Sequence, residues 1–394
     1  MATARCSFCG RNAEVAGSVV AGPRGIGICG DCAAVAAEVA LDTTRPEEID
    51  RVVTSIGCLI TNDRRNDGLL GWVPDAAVAI RRGRVTWVGS QRHLPSRYAE
   101  LPVLDAGGRI VCPGFIDAGT DLLGTTPGLQ PEAAVERAAD LAAMMIQEGV
   151  TSFDLAVGGS DDPLTETVAL AAGRGLAEKV AASVTVSWRV PPTMTPEAIR
   201  RILIPAASRL ASNAIVSCHA EPHGAIEARL DSIRPLRPRI VVCDEPAECI
   251  DAAEGALSIS GAGHLSPVDG VVSIVEPLTL LDGRSLPARK LWDAGAVLGL
   301  ASRNDPDRRL LRSPAFMITL LVEVGGLSIS EAIWSATRGG ALALGDPERG
   351  RVRPGDIADL IVLDTDSLGD LIRLPDSGWA SSVLRGGVVV ATRP

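Results

Sequence analysis

The chain has 394 residues, a formal net charge of -10 at pH 7, and 46% hydrophobic and 22% charged residues. This length allows two or three domains with at least one large core, and the composition is that of an ordinary globular protein. The acidic balance argues against a general nucleic-acid binder, and no apolar run reaches the roughly 18 residues of a membrane helix. The sequence therefore predicts neither a nucleic-acid partner nor a membrane partner.

The N-terminal segment, MATARCSFCG, lacks the apolar stretch of a signal peptide. Nine cysteines without such a signal favour a reducing compartment and metal binding over a disulfide framework. We therefore expect a cytoplasmic protein.

The first four cysteines have the spacing C-x₂-C-x₁₉-C-x₂-C, namely Cys6, Cys9, Cys29 and Cys32. Each C-x-x-C turn can present two thiolates on one side, and two such turns complete a tetrahedral S₄ site for one zinc ion. The alternatives are two disulfides, four unconnected thiols, or disulfide exchange by one pair. A closed S₄ site has no open coordination position, so this zinc would fold the module without doing chemistry.

The same segment resembles the zinc-binding domain of the ClpX unfoldase in CSFCG, in the A-G-P turn and in ICGDC. The resemblance covers about 40 residues, and no G-x-x-x-x-G-K-[ST] loop follows to support an ATPase. In that family the module dimerises and docks partner proteins. The resemblance thus implies a homodimer, or a protein partner bound through this module.

The rest of the chain reads as one domain inserted into another. We predict a zinc module at 1–42, a linker at 43–52, a small β domain from 53–106 and 347–394, and a central domain at 107–346. AIRRGRVTWVG reads as two strands joined at an Arg-Gly turn. The central region alternates apolar runs with helical patterns, which predicts an α/β fold with buried parallel strands, either a (β/α)₈ barrel or a doubly wound sheet.

Two segments resemble a known superfamily, and this resemblance favours the barrel over the doubly wound sheet. VLDAGGRIVCPGFIDAGTDLLG is similar to the first barrel strand of the amidohydrolase superfamily, and GALALGDPERGRVRPGDIADLIVLD is similar to its C-terminal motif. Patches between them, including VTSFDLAVGGSDDPLTET, WRVPP and GALSISGAGHLS, resemble in order those of imidazolonepropionase, a C–N hydrolase. The resemblance implies a (β/α)₈ TIM-type barrel flanked by a small β-sandwich built from both ends of the domain.

The metal ligands that this family uses are altered here. Asp117 is retained, but the two histidines that should follow it are Gly119 and Asp121. The strand-5 histidine falls on Val242, and the strand-8 aspartate falls on Arg303. Gly and Val offer no side-chain ligand, and Arg places a permanent positive charge where a cation would lie. The sequence therefore predicts no catalytic metal and no catalytic residue in the barrel.

Positions that bind substrate in the family are altered as well. A histidine before V-P-P is Trp188, and a tyrosine after strand 2 is Gly159. His264 and Glu245 match functional positions, and we interpret both as hydrogen-bonded structural residues.

The run CHAEPH offers His219 and His223 at metal-ligand spacing, although Pro222 between them opposes a continuous helix. Cys218 lacks the partners of a catalytic thiol. We therefore hypothesise a catalytically inactive, zinc-binding interaction or small-ligand protein. The alternative is an active C–N hydrolase with a site rebuilt from Asp121, His219, His223, His264 or Glu245.

Overall fold

The computed structural model describes residues 5–7, 19–21, 27–29, 32, 50–124, 130–160, 162–191, 195–199, 213–217, 239–243, 255–259, 270–283, 286–307, 313–373 and 378–393. In 213–217, 239–243 and 255–259 only the backbone is described. The chain divides into two compact units, residues 1–48 and 49–394.

The N-terminal unit contains a short β-hairpin. Strand β1 (Val19–Ala21) pairs antiparallel with β2 (Gly27–Cys29). The N–H of Ser7 donates to the carbonyl of Gly27 at 2.7 Å, and the N–H of Gly27 donates to the Ser7 hydroxyl at 3.0 Å. These reciprocal bonds hold the segment around Ser7 beside β2.

The second unit begins with strands of a mixed sheet: β3 (Arg51–Ile60), β4 (Trp72–Arg81), β5 (Arg84–Ser90), β6 (Val103–Asp105) and β7 (Ile110–Pro113). β4 and β5 form the predicted hairpin. Its turn residues Arg82 and Gly83 have φ of 49° and 71°, the left-handed conformation that tight hairpin turns require. β3 starts within the range predicted as a linker, and its Val52 and Val53 are buried.

The central region contains eight parallel strands that lie in chain order in one sheet. They are β8 (Phe115–Thr120), β9 (Val150–Gly158), β10 (Ser183–Arg189), β11 (Asn213–Ser217), β12 (Arg239–Cys243), β13 (Gly255–Ile259), β14 (Val272–Val275) and β15 (Val297–Leu300). Beyond β15, the N–H of Arg303 donates to the carbonyl of Gly119 in β8 at 2.8 Å. The N–H of Asp121 donates to the carbonyl of Asn304, also at 2.8 Å. Two backbone bonds therefore connect the chain after β15 with the end of β8.

The helices within the described part of this unit are α1 (Pro131–Gln147), α2 (Pro163–Lys179), α3 (Pro196–Ala198), α4 (Ala288–Asp293), α5 (Pro314–Glu323), α6 (Ile329–Trp334), α7 (Gly340–Ala343) and α8 (Leu368–Arg373). A π-helical turn, Ser335–Gly339, joins α6 to α7. α1 buries Ala138, Leu141, Ala142 and Met145, the spacing of a helix that packs one face on the core.

Caps fix where two of these helices begin. The Asp162 carboxylate accepts from the Thr165 N–H at 2.9 Å and caps α2. Ser328 and Glu331 form a capping box at the start of α6. None of the helices within the described ranges is long and apolar enough to cross a membrane.

The C-terminal strands return to the first sheet. These are β16 (Leu360–Leu363), β17 (Ala380–Arg385) and β18 (Val388–Thr392), and the sheet order is β18-β17-β16-β7-β3-β4-β5, with β6 paired to β3. β7 falls in the range predicted for the central domain, yet it pairs parallel with β3 and antiparallel with β16. Both flanks of the central region thus build one sheet.

We expect replacement of Asn62 to destabilise this unit, because its amide ties the end of β3 to two distant segments. The amide N–H₂ donates to the Thr337 hydroxyl and to the Gly350 carbonyl, both at 2.8 Å, and Asn62 has φ of 52°. Asn62→Ala loses both bonds and places Ala in a left-handed conformation, which should lower the free energy of unfolding by about 2–4 kcal/mol in urea titration.

Asn62→Gly is the matched control, since it loses the same bonds while relieving the backbone. It should recover about 1 kcal/mol of that loss. A Gly variant as stable as the wild type would show that the two amide bonds contribute nothing.

Candidate functional site

Three of the four predicted zinc cysteines lie together. The Sγ atoms of Cys6, Cys29 and Cys32 are all within 4.8 Å of one another, and Cys6 and Cys29 are buried. The N–H of Cys29 donates to the Cys6 sulfur at 3.3 Å. In a tetrahedral S₄ site with Zn–S bonds of about 2.3 Å, sulfurs lie about 3.8 Å apart, so this cluster fits zinc in both spacing and donor type. Cys9 lies outside the described residues.

The second set of candidates lies at the carboxyl end of the parallel sheet, where barrel enzymes place their sites. Asp117, near the end of β8, is 2% exposed, and its carboxylate accepts from the N–H of Ser302 at 2.9 Å and of Gly119 at 3.2 Å. Burial raises the pKa of Asp117 to about 6, and these hydrogen bonds and the charge of Arg303 oppose that rise. The Asp117 carboxylate therefore links β8 to the segment that follows β15.

Arg303 fills the space beside Gly119. Its Nη1 lies 2.9 Å and its Cζ 3.2 Å from the position that a Cβ on Gly119 would occupy. Its Nε donates to a carboxylate oxygen of Glu276 at 2.7 Å. A histidine at position 119 would require the Arg303 guanidinium to move away from its present position.

Two further carboxylates in the described strands β8 to β10 and their ends are also paired. Asp121 forms an ion pair with Arg189 at the end of β10. Asp154, in β9, is 5% exposed and accepts a hydrogen bond from the Ser187 hydroxyl. Burial raises the pKa of Asp154 to about 7; the Ser187 bond and the charge of Arg303 act in the opposite direction.

Trp188, at the position of the family's strand-3 histidine, is part of the core. Its side chain is fully buried, and the indole N–H donates to Glu166 at 2.6 Å. The other oxygen of Glu166 accepts from the N–H of Ser160, also at 2.6 Å. The buried Glu166 carboxylate thus fixes both the indole and the loop after β9. This geometry gives Trp188 a structural role.

Several predicted candidates cannot be placed. His219, His223, Glu245, His264 and Cys218 lie outside the described residues. Val242 lies in β12, for which only the backbone is described. Among the residues proposed for a rebuilt site, the structure places only Asp121, and it pairs that carboxylate with an arginine.

Sequence reasoning missed Asp154, Glu166, Arg189 and Glu276. Asp154 gave a usable signal, because a carboxylate within the apolar strand VTSFDLAV is rarely buried without a partner. The other three gave none, since a single charged residue at a strand end or helix start is common and does not reveal its partner.

The described residues at positions 117, 119, 121 and 303 do not fit a divalent metal of the family type. The set offers two carboxylates, one of them paired with Arg189, and a guanidinium beside a glycine. A cation there would face the fixed positive charge of Arg303. Within this described set, Asp121 is paired with Arg189 and Arg303 with Glu276.

Comparison with known proteins agrees with the resemblances seen in the sequence. Residues 156–390, more than half of the chain, match the model of the amidohydrolase family, and residues 4–41 match that of the ClpX C4-type zinc finger. The imidazolonepropionase of Streptomyces griseus is 30% identical over 384 residues, covering 85% of this chain and 98% of that protein. That of Salinispora arenicola is 30% identical over 404 residues, covering 86% and 98%.

Solved structures share the fold. Ochratoxinase from A. niger has a TM-score of 0.69 at 16% identity, covering 87% of this chain and 96% of that chain. A 5-methylcytosine deaminase from Klebsiella pneumoniae has a TM-score of 0.68 at 17% identity, covering 87% and 98%. The second unit therefore has the TIM-barrel type of fold that these enzymes share.

We expect stability to fall between about pH 4 and pH 7 because of Asp154. Its pKa rises from the usual 3.8 to about 7 on burial, so the folded state binds more protons than the unfolded state in this window. The contribution is most favourable below pH 4 and is lost as pH rises through 7. The free energy of unfolding of Asp154→Asn, relative to that of the wild type, should therefore rise by about 1–3 kcal/mol from pH 5 to pH 8.

Urea unfolding at the two pH values measures this difference. Asp140→Asn, which neutralises an exposed carboxylate of α1, is the control and should show no comparable change. An Asp154→Asn profile parallel to that of the wild type would contradict a neutral Asp154 in the folded protein.

Proposed function

The chain belongs to the amidohydrolase family, and we propose that it is a member that has lost hydrolysis and acts as an interaction protein. The observation that carries this proposal is the Arg303 guanidinium lying against Gly119 and bonded to Glu276. Metal-dependent hydrolases need a divalent ion that lowers the pKa of a bound water and polarises the scissile carbonyl. A guanidinium supplies neither a coordination position nor an ionisable water.

The proposal extends to the architecture. We infer that the parallel sheet closes into a (β/α)₈ barrel, which the two backbone bonds between the 119–121 and 303–304 segments support. We likewise propose that the mixed sheet folds as a β-sandwich, and that the domains divide at 1–42, 43–52, 53–106 with 347–394, and 107–346. These features give a rigid scaffold that persists without catalytic metal.

We propose that the N-terminal unit binds one structural zinc through Cys6, Cys9, Cys29 and Cys32. The three clustered thiols and the match to the ClpX C4-type zinc finger support this assignment. The zinc, when bound, would fold this short segment, which is too small to build a core of its own. A reducing, cytoplasmic compartment would keep the four thiols available.

We further propose that the zinc unit carries the interaction, through a homodimer or a partner protein. The apolar run GICGDCAAVAAEVAL holds more hydrophobic surface than a module of about 40 residues can bury alone. Binding of a small molecule by the barrel is a second form of the same non-catalytic role.

The competing function is hydrolysis of a cyclic amide C–N bond by a rebuilt site. The 30% identity to imidazolonepropionases over nearly the whole of those proteins favours it. Its residues would be Asp121, His219, His223, His264 or Glu245. The two functions differ in whether any divalent ion confers turnover.

We expect no turnover of 4-imidazolone-5-propionate, dihydroorotate, hydantoins or simple lactams, with or without added Zn²⁺, Mn²⁺ or Fe²⁺. The reason is the absence of a coordination position beside Arg303. Product formation is followed spectrophotometrically, and the Streptomyces griseus imidazolonepropionase serves as the positive control for its own substrate.

Metal-dependent turnover above a metal-free control, abolished by His219→Ala or His264→Ala, would overturn the inactive assignment. Turnover that persists in both variants after repurification would overturn it equally, with His223, Glu245 and Asp121 as the remaining candidates.

We expect Cys29→Ser to remove the zinc and the dimer together while leaving the main thermal transition within about 2 °C, since a few tenths of a kcal/mol shift Tm by no more than this in a large domain. One thiolate fewer opens the S₄ site and unfolds the N-terminal unit. Elemental analysis and light scattering on the full chain measure the two losses. Cys58→Ser, which changes a half-buried thiol of β3, is the control and should keep one zinc per chain.

Stoichiometric zinc in Cys29→Ser would show that the ligand set is wrong. A dimer that survives loss of zinc would place the interface outside the N-terminal unit, and a monomeric wild type would remove the dimer proposal.

A further inference from the structure

We propose that the hairpin turn between β4 and β5 carries a binding site for a small phosphorylated compound, with its phosphate against Arg81, Arg82 and Arg84. These arginines line one cavity of about 550 Å³ together with Asp50, Val85, Thr86, Pro354 and Gly355. The cavity lies on the mixed sheet. The site is therefore independent of the proposed loss of hydrolysis at the carboxyl end of the parallel sheet.

One wall of the cavity, formed by Pro354 and Gly355, is fixed to β5 by backbone hydrogen bonds. The N–H of Gly355 donates to the carbonyl of Val85 at 2.8 Å, and the N–H of Val85 donates to the carbonyl of Asp356 at 2.9 Å. The cavity is thus already formed without a ligand. Its volume is within the range of about 300–1,000 Å³ that small-molecule sites have.

Two of the arginines are oriented by neighbouring groups. Arg84 donates from Nη1 to the Gly355 carbonyl at 2.7 Å and from Nη2 to Glu348 at 3.0 Å. The Nε of Arg81 lies 3.6 Å from a carboxylate oxygen of Asp50. The side chains of both ion pairs are 39–51% exposed, so water screens these pairs and their weakening costs little. A ligand oxyanion can therefore share both guanidiniums.

Arg82 supplies a positive charge without a partner of its own. Its backbone N–H donates to Asp50 at 3.1 Å, but within the described part of the chain its guanidinium forms no hydrogen bond or ion pair. With Glu348 included, three arginines face two carboxylates around the cavity. In a chain with a net charge of -10, this local excess of positive charge favours an anionic ligand.

The backbone of Arg82 supports a role for its side chain. Arg81 pairs with Arg84, so the turn has two residues, and Arg82 and Gly83 have φ of 49° and 71°. Such turns prefer Asn, Asp or Gly at the first of these positions, because a long side chain is strained at positive φ. Glycine would therefore relax the turn. An arginine at this position is explained by its charge, which a bound anion would use.

A phosphate group fits these arginines better than a carboxylate does. A phosphate monoester carries a charge of about -1.5 to -2 at pH 7 and three acceptor oxygens, and guanidinium groups bind such oxygens in pairs. A carboxylate offers one charge and two oxygens. Beside the arginines, Thr86 and Pro354 provide apolar surface for the rest of a small molecule.

The test measures binding of inorganic phosphate to the full-length chain by calorimetric titration at an ionic strength held constant with chloride. The wild type should bind phosphate saturably and acetate at least ten-fold more weakly. Arg82→Gly should weaken phosphate binding at least ten-fold, and Arg82→Lys, which keeps the charge but not the planar fork, should weaken it less. Arg64→Gly removes an exposed arginine elsewhere in the same unit and should bind phosphate like the wild type.

Thermal unfolding separates binding from the stability of the turn. Without phosphate, Arg82→Gly should have a Tm equal to or above that of the wild type, because the turn relaxes. Phosphate at ten times its Kd should raise the Tm of the wild type by about 2 °C and that of Arg82→Gly by less than half as much.

The absence of saturable phosphate binding to the wild type would overturn the proposal, as would wild-type affinity in Arg82→Gly or an equal loss in Arg64→Gly. Acetate binding as tight as that of phosphate would overturn the choice of phosphate. A lower Tm of Arg82→Gly without phosphate would show that Arg82 stabilises the turn itself, which also contradicts the proposal. None of these measurements depends on turnover, so the proposed function is tested separately.

Discussion

The charge of Arg303 is the main constraint on this end of the parallel sheet: it pairs with Glu276 beside the two backbone bonds that connect the chain after β15 with the end of β8. The guanidinium of this pair lies against Gly119, and the backbone of the same arginine donates to the Gly119 carbonyl. Asp117 strengthens the junction by accepting from N–H groups on both sides of it. Side-chain charge and backbone pairing are therefore coupled at one point, so neither can change without affecting the other.

This coupling explains why the altered positions form a consistent set. A histidine at 119 requires space that Arg303 occupies, and an aspartate at 303 would remove the positive charge that pairs with Glu276. Intermediate combinations would bury uncompensated charge, which costs far more than a surface change. Trp188 and Glu166 form a similar buried pair, since the indole has a buried carboxylate as its hydrogen-bond partner.

The sequence predicted the family, the zinc-finger match and the alternation of strands and helices, because these follow from motifs and from local periodicity. The assignment of Gly119, Asp121 and Arg303 to altered metal-ligand positions stays a prediction. The sequence could not show that Arg303 lies against Gly119, since the two residues are far apart in the chain and meet only when the sheet forms. Asp154, Arg189 and Glu276 were missed for the same reason: their role comes from neighbours in space. The pairing of β7 with the mixed sheet was also unforeseen, because its apolar residues suit either sheet.

The position of β7 has a consequence for how the chain is made. One edge of β7 pairs with β3 soon after synthesis, but the other pairs with β16, roughly 250 residues later, which takes about 10–50 s at common translation rates. Throughout that interval a buried, apolar strand presents unpaired backbone groups to the cell, the condition that invites association with other chains. The second edge of β7 is thus completed only when the last part of the chain has been made.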